Sequence, residues 1–105
     1  MALSRSFKET VQARAQSDAK FRNSLLLEAI ECMLSGDVET GKAILRDYIN
    51  ATIGFVELGT KTKTSPKSLM RMLGPKGNPQ ARNLFAVISY LQKREHVKFK
   101  LRAVR

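Results

Sequence analysis

Four polar side chains near the middle of the chain have the spacing of a helix face that could read DNA bases. Ser65 and Pro66 can open this helix, because a serine hydroxyl accepts an otherwise unpaired backbone N–H and proline at the first helical position loses no hydrogen bond. Lys67, Ser68 and Arg71 then fall on one face that carries no acid. Such side chains hydrogen-bond to base edges in the major groove. We therefore predict base contacts from Ser65, Lys67, Ser68 and Arg71.

A second set of residues around this face could hold the DNA backbone. Lysine and arginine neutralise phosphates, while short polar side chains and backbone N–H groups donate hydrogen bonds to phosphate oxygens. The candidates flank the helix on both sides, and they are Lys61, Lys63, Thr64, Lys76, Gly77, Asn78 and Arg82.

Two short helices joined by a polar turn would present both sets of residues. Phe55, Val56 and Leu58 start the first helix, and the stretch 61–64 is a polar break. The apolar residues of the second helix follow helical spacing, which predicts that Leu69, Met70 and Leu73 are buried. We also expect Met72 to pack against the core. This pattern is typical of a helix-turn-helix.

The other chemistry-bearing residues do not suggest a catalytic or metal site. His96 is the only histidine, and Cys32 is the only cysteine. Cys32 lies in a helical apolar pattern, so we expect a buried thiol. The acids are scattered along helices, where they suit caps and solvated faces. We predict that the chain is not an enzyme and uses no metal and no cofactor.

One segment matches the spacing of a phosphate-binding loop. Gly36, Gly41 and Lys42 satisfy G-x4-G-K, but Ala43 stands where a serine or threonine binds magnesium. The segment follows a helix instead of a strand, and it places Asp37 where phosphate would sit. We interpret Asp37 as the cap of a helix.

Charge is distributed very unevenly along the chain. The net charge is +10, yet residues 1–59 carry seven basic and eight acidic side chains, whereas residues 60–105 carry twelve basic residues and Glu95 alone as acid. A half with a net charge of +11 favours a polyanionic partner. No apolar run is long enough to span a membrane, and the start has no signal-peptide core. We expect a cytoplasmic protein with no membrane partner.

The hydrophobic pattern predicts an all-α fold of about five helices in a single domain, 1–105. Residues 1–36 would form an N-terminal helical arm, with a first helix from Leu3 to Gln16 and a restart at Ser17-Asp18. Residues 37–105 would form the helix-turn-helix domain. Its last helix runs from about Gln80 to Lys93 with an apolar stripe of Leu84, Phe85, Val87, Ile88 and Leu91.

The end of the chain changes to a two-residue period that predicts a strand. Val97, Phe99 and Leu101 alternate with basic residues. A lone strand leaves its backbone groups unpaired, so it needs a neighbour. We predict that the same strand of a second subunit supplies it, which makes the protein a homodimer; the alternative is that the segment is a frayed tail.

The stretch from Glu57 to Pro79, E-L-G-T-K-T-K-T-S-P-K-S-L-M-R-M-L-G-P-K-G-N-P, resembles the Xre/phage-repressor type of helix-turn-helix. More narrowly, it is similar to the HigA-like addiction module antidote group, through Ser65, Ser68-Leu69, Leu73 and Gly77-Asn78-Pro79. The resemblance implies a lambda-repressor-like core. It also implies an antitoxin-like autorepressor that binds a palindromic operator as a dimer, together with a cognate RelE/HigB-like toxin as a possible partner.

Two positions depart from the pattern of that group. Lys63 stands at the turn position where the group usually has glycine, so a wider turn is expected. Gly59 stands where alanine normally packs between the two helices, so a looser contact is expected.

Two other functions remain open from the sequence. The chain could be a protein-interaction module that mainly neutralises a toxin, through its near-neutral N-terminal half and the Phe7/Val11 arm. RNA binding is the weaker alternative, because no aromatic platform is interleaved with the basic residues.

Overall fold

Six α-helices follow one another in the part of the chain that the structure, a computed structural model, describes. It describes residues 5–105, and side chains from residue 9 onward. The predicted start of the first helix at Leu3, with Ser4 as a candidate cap, lies outside the described residues, as does the Phe7 side chain. The helices are α1 (Arg5–Ser17), α2 (Ala19–Leu34), α3 (Val38–Ala51), α4 (Phe55–Thr62), α5 (Pro66–Met72) and α6 (Ala81–Glu95).

Local capping residues begin three of these helices, as the sequence predicted. Asp18 accepts the N–H of Phe21 at the start of α2, and Asp37 accepts the N–H of Thr40 at the start of α3. Ser65 caps α5. Each oxygen satisfies a donor that the first turn of a helix leaves unpaired.

The core lies between the N-terminal hairpin of α2 and α3 and the three later helices. Its fully buried side chains come from α2 to α6 and from the loop after α5, and they include Leu26, Leu45, Tyr48, Ile49, Leu58, Leu69, Leu73 and Leu91. α2 and α3 approach closely at Gly41, where a Cβ atom would lie 2.6 Å from Met33 Cγ and 2.8 Å from Ala29 O. Residues of the predicted arm therefore share one core with the helix-turn-helix segment.

In the last two helices, the predicted burial holds for most apolar residues and is wrong for Met70 and Phe85. Met72 packs against the core, as expected. Met70, however, is 53% exposed, and Phe85 is 62% exposed. Leu69 and Leu73 are four residues apart and share the buried side of α5 and its cap, whereas Met70 lies one position, about 100°, around the helix from Leu69. On α6 the buried side is taken by Val87, Ile88 and Leu91, and Phe85 lies off that stripe.

The predicted C-terminal strand is absent, and within residues 5–105 there is no strand at all. α6 ends at His96, which adopts a left-handed conformation with φ 58°, and the segment 97–105 that follows is irregular. The alternation predicted strand pairing, but within one chain the backbone of Val97, Phe99 and Leu101 has no neighbouring strand with which to form a ladder. The Phe99 N–H instead donates to Gln92 Oε1 at 2.9 Å.

Candidate nucleic-acid interface

The turn between α4 and α5 is tight because of two residues. Lys63 adopts a left-handed conformation (φ 57°, ψ 39°), which glycine adopts easily and most residues avoid. The N–H groups of Lys63 and Thr64 both donate to Gly59 O. Lys63 thus adopts the left-handed backbone geometry that glycine commonly supplies at such a turn.

Gly59 brings the two helices closer together than alanine would allow. A Cβ atom at this position would lie 2.5 Å from Thr64 O and 3.3 Å from Pro66 Cδ. The expectation of a looser contact is therefore wrong, because the backbone of the turn occupies the space that a side chain at Gly59 would take. The result is a short, close connection of three residues between α4 and α5.

α5 exposes the face that the sequence assigned to base contacts. Lys67, Ser68 and Arg71 are all exposed, while Leu69 is buried beneath them. The Ser65 hydroxyl accepts the N–H of Ser68 at 3.1 Å and lies 2.8 Å from Ser68 Oγ. Ser65 therefore holds the start of the helix, and the two serine hydroxyls already bond to each other.

A groove of about 430 Å³ lies between α5, the loop that follows it and the start of α6. It brings together six of the predicted residues, namely Thr64, Ser68, Arg71, Lys76, Gly77 and Asn78. The other five, Lys61, Lys63, Ser65, Lys67 and Arg82, are exposed but do not line it. The groove also contains amide side chains that the sequence analysis missed, those of Gln80 and Asn83.

Two cations of α3 hold the loop behind this groove. Lys42 is 1% exposed, and its ammonium group donates to Gly74 O at 3.0 Å and to Gly77 O at 2.8 Å. Arg46 donates to Leu73 O. These three carbonyls belong to the loop between α5 and α6, outside either helix, so the two cations supply donors that the loop backbone needs when it is buried.

Sequence reasoning missed this role of Lys42, although a signal was present. Lys42, Leu45 and Ile49 stand at i, i+3 and i+7 of α3, which places the lysine on the buried face. The lysine of the phosphate-loop match is therefore part of the packing between α3 and the loop. Its pairing with Glu39 at 3.0 Å, within the first turn of α3, completes its environment.

The only acid of residues 60–105 is buried and neutralised. Glu95 has a side chain that is 3% exposed; it accepts Arg22 Nε at 3.1 and 3.0 Å and also accepts the Tyr48 hydroxyl. Burial, together with this bond to Glu95, raises the pKa of Tyr48 well above its usual value. The basic residues around α4 and α5 make no ion pair with any described acid. The exposed charged side chains of residues 60–105 are consequently all basic, and the nearest acid in the sequence is Glu57, which is exposed on α4.

The remaining chemistry-bearing residues stay apart. Cys32 is half-buried where full burial was expected, and the pKa of its thiol is raised by burial and by the nearby acids Asp37, Glu28 and Glu31. His96 is exposed at the end of α6. Across residues 5–105 no three His, Cys, Asp or Glu side chains cluster as metal ligands would. In the same range no helix is both long and apolar enough to cross a membrane.

Comparison with known proteins does not assign a family or a function to this chain. No protein-family model, curated protein or solved structure matches the chain. The arrangement of α4, α5 and the groove beside them is therefore the feature from which function can be inferred.

Proposed function

We propose that this protein is a sequence-specific DNA-binding transcriptional regulator that inserts α5 into the major groove. The observation that carries the proposal is the short α4–α5 connection, which presents Lys67, Ser68 and Arg71 on an exposed face without an acid. An antitoxin-like autorepressor that binds a palindromic operator as a homodimer is the form of this function that the resemblance favours.

Arg71 is the residue that we assign to reading sequence. It is exposed on α5 and lines the groove beside Ser68, and a bidentate contact from arginine to guanine contributes about 1–3 kcal/mol of discrimination. Lys67 lies on the same face. Both side chains lack an acidic partner among the described residues, so neither has to leave an ion pair to reach DNA.

Residues on either side of α5 would hold the phosphate backbone and orient the helix. Lys76 and Asn78 project from the loop that Lys42 fixes, and Lys61 and Lys63 lie at the end of α4. Arg82 is exposed in the first turn of α6. Contacts of this kind set register on the duplex and make binding sensitive to salt, with a slope of about 0.9 per phosphate contact.

Fluorescence anisotropy with the DNA upstream of the protein's own gene tests the proposal. We expect tighter binding to this duplex than to a scrambled one, and Arg71→Ala should remove most of that preference. Lys61→Ala is the matched control, because a lost phosphate contact should weaken both duplexes equally. Equal binding of the two duplexes by the wild-type protein would refute sequence-specific recognition. Sedimentation of the protein with the duplex measures whether two copies bind.

A second candidate function is neutralisation of a RelE/HigB-like toxin. The sequence placed the binding surface on the Phe7/Val11 arm, but Val11 is half-buried and the Phe7 side chain lies outside the described residues. Exposed apolar side chains occur instead where α2 meets α3, at Leu34 (62% exposed) and Val38. If this surface binds a toxin, Leu34→Asp should abolish co-purification with the protein of a neighbouring gene while DNA binding persists.

A further inference from the structure

The C-terminal segment 97–105 is held against α6 at its start and carries basic side chains without acidic partners. It begins after His96, the residue that caps α6, and the Val97 N–H donates to Gln92 O at 3.0 Å. Phe99 packs against the core while its N–H donates to the Gln92 side chain. The first residues of the segment are therefore held against α6, although they belong to no strand.

Four basic residues of this segment point away from the core. Val97 and Phe99 are half-buried, whereas Lys98, Lys100, Arg102 and Arg105 are all exposed. None of the four makes an ion pair with a described acid. Burial alternates with exposure from 97 to 100, so the lysines share the outer side of the segment.

We propose that residues 97–105 are a cationic arm that binds the phosphate backbone of duplex DNA beside the α5 site. The proposal rests on the proposed DNA-binding function and extends it to a second contact surface. It assigns the arm no part in reading sequence, because lysines on an irregular segment can neutralise phosphates without fixed orientation.

The exposed residues of the arm continue from an anchor beside the last turns of α6. The Phe99 N–H bonds to the side chain of Gln92, and Nε2 of the same side chain lies 3.5 Å from Ile88 O. Phe99 therefore lies beside α6 and not beyond its end. The residues after Phe99 can extend by about 20 Å at ~3.4 Å per residue. That reach is close to the length of α6, about 22 Å for its fifteen residues, and the start of α6 lines the groove beside α5.

A polyanion suits this arm better than the same arm of a second copy. Antiparallel pairing of two arms would bring exposed lysines and arginines of the same sign against one another, and like charges directly opposite are destabilising. Each phosphate contact, in contrast, releases condensed counterions from DNA and strengthens binding. The positive charge of the arm therefore favours the phosphate backbone of a duplex as its binding partner.

The test compares arm variants with a control that removes a charge elsewhere. Lys98→Gln/Lys100→Gln removes two charges from the arm, and Lys98→Gln removes one. The control for the single change is Lys20→Gln, which removes an exposed charge from α2 that pairs with no described acid. Affinity for a scrambled duplex is measured by anisotropy at several salt concentrations. We expect the double arm variant to lower the slope of log K against log salt by about 1.8 and Lys98→Gln by half of that, at ~0.9 per contact, and the control to leave it almost unchanged. Circular dichroism checks that all the variants are folded.

If the slope of log K against log salt were the same for the arm variants and the control, the proposal would be overturned. Tighter binding of single-stranded RNA than of the duplex by the wild-type protein would also overturn it. The proposed function fails separately. If the wild-type protein shows no preference for its upstream DNA while the arm variant still loses slope, the arm stands and sequence recognition by α5 falls. An Arg71-dependent preference with no arm effect gives the reverse result.

Discussion

Lys42→Met is the substitution that tests most directly how the loop behind α5 is held. The lysine is fully buried and donates to Gly74 O and Gly77 O. A hydrogen bond to a charged group contributes about 1.5–3 kcal/mol, so two such bonds set an upper limit of about 6 kcal/mol. Methionine keeps most of the packing, and the variant no longer has to desolvate an ammonium group. We expect a loss of about 2–3 kcal/mol in the free energy of unfolding.

The assay is thermal and denaturant unfolding of the variant beside two controls. For a domain of this size the loss should lower the Tm by about 10–20 °C, at ~4–8 °C per kcal/mol. Lys20→Met removes an exposed lysine and should change the free energy of unfolding by less than about 0.5 kcal/mol. Glu39→Gln should have a similarly small effect, because the Glu39 side chain is 65% exposed and its pair with Lys42 is screened by water.

A Lys42→Met protein that unfolds like the wild type would refute the reasoning, because it would show that the two carbonyls are equally well satisfied by water. If Glu39→Gln were as damaging as Lys42→Met, the ion pair and not the loop carbonyls would be the important contact. At temperatures where both proteins are folded, Lys42→Met should also reduce the preference for operator DNA, because the loop carries Lys76 and Asn78.

Two further substitutions test the close approach of α4 and α5 and the buried acid. Gly59→Ala should cost about 2–3 kcal/mol through overpacking, because the close atom, Thr64 O, belongs to the backbone; the higher helix propensity of alanine offsets ~1 kcal/mol, so we expect a net loss of about 1–2 kcal/mol, and equal or greater stability in urea unfolding would contradict this. Tyr48→Phe should cost about 1–2 kcal/mol near neutral pH. Because the folded-state pKa of Tyr48 is raised above its usual 10, the wild-type stability is fully present below that pH and falls above it, relative to Tyr48→Phe, by up to about 1.4 kcal/mol per pH unit. Parallel loss in both proteins above pH 10 would show that the hydroxyl is not responsible.

Features that depend on neighbouring residues were predictable from the sequence. The caps Asp18, Asp37 and Ser65 need only the first turn of their own helices, and the apolar stripe of α6, apart from Phe85, was predictable from spacing. The two residues of the α4–α5 turn were recognised as unusual, but the consequence of Gly59 was misjudged. The backbone geometry of this turn, the left-handed Lys63 and the contact of Gly59 with Thr64 O, is set by packing of the two helices.

Features that depend on distant partners were not predictable. Lys42 bonds to carbonyls 32 and 35 residues away, and a stripe position alone does not indicate what a buried lysine bonds to. The strand prediction failed for the related reason that alternation shows which side of a segment is apolar but not whether a neighbouring strand exists. Phe99 is anchored by core packing and by the Gln92 side chain instead.

The contact between Arg22 and Glu95 links the fold to the proposed function. Glu95 is the only acid of the basic half, and it is paired with a cation from the N-terminal half. The pair joins α2 to α6 inside the molecule and leaves the exposed surface of residues 60–105 without a negative charge. Had Glu95 been exposed, it would have opposed the binding of a polyanion. One buried pair therefore both holds the helices together and removes the only acidic side chain of residues 60–105 from the surface, which favours the binding of a polyanion there.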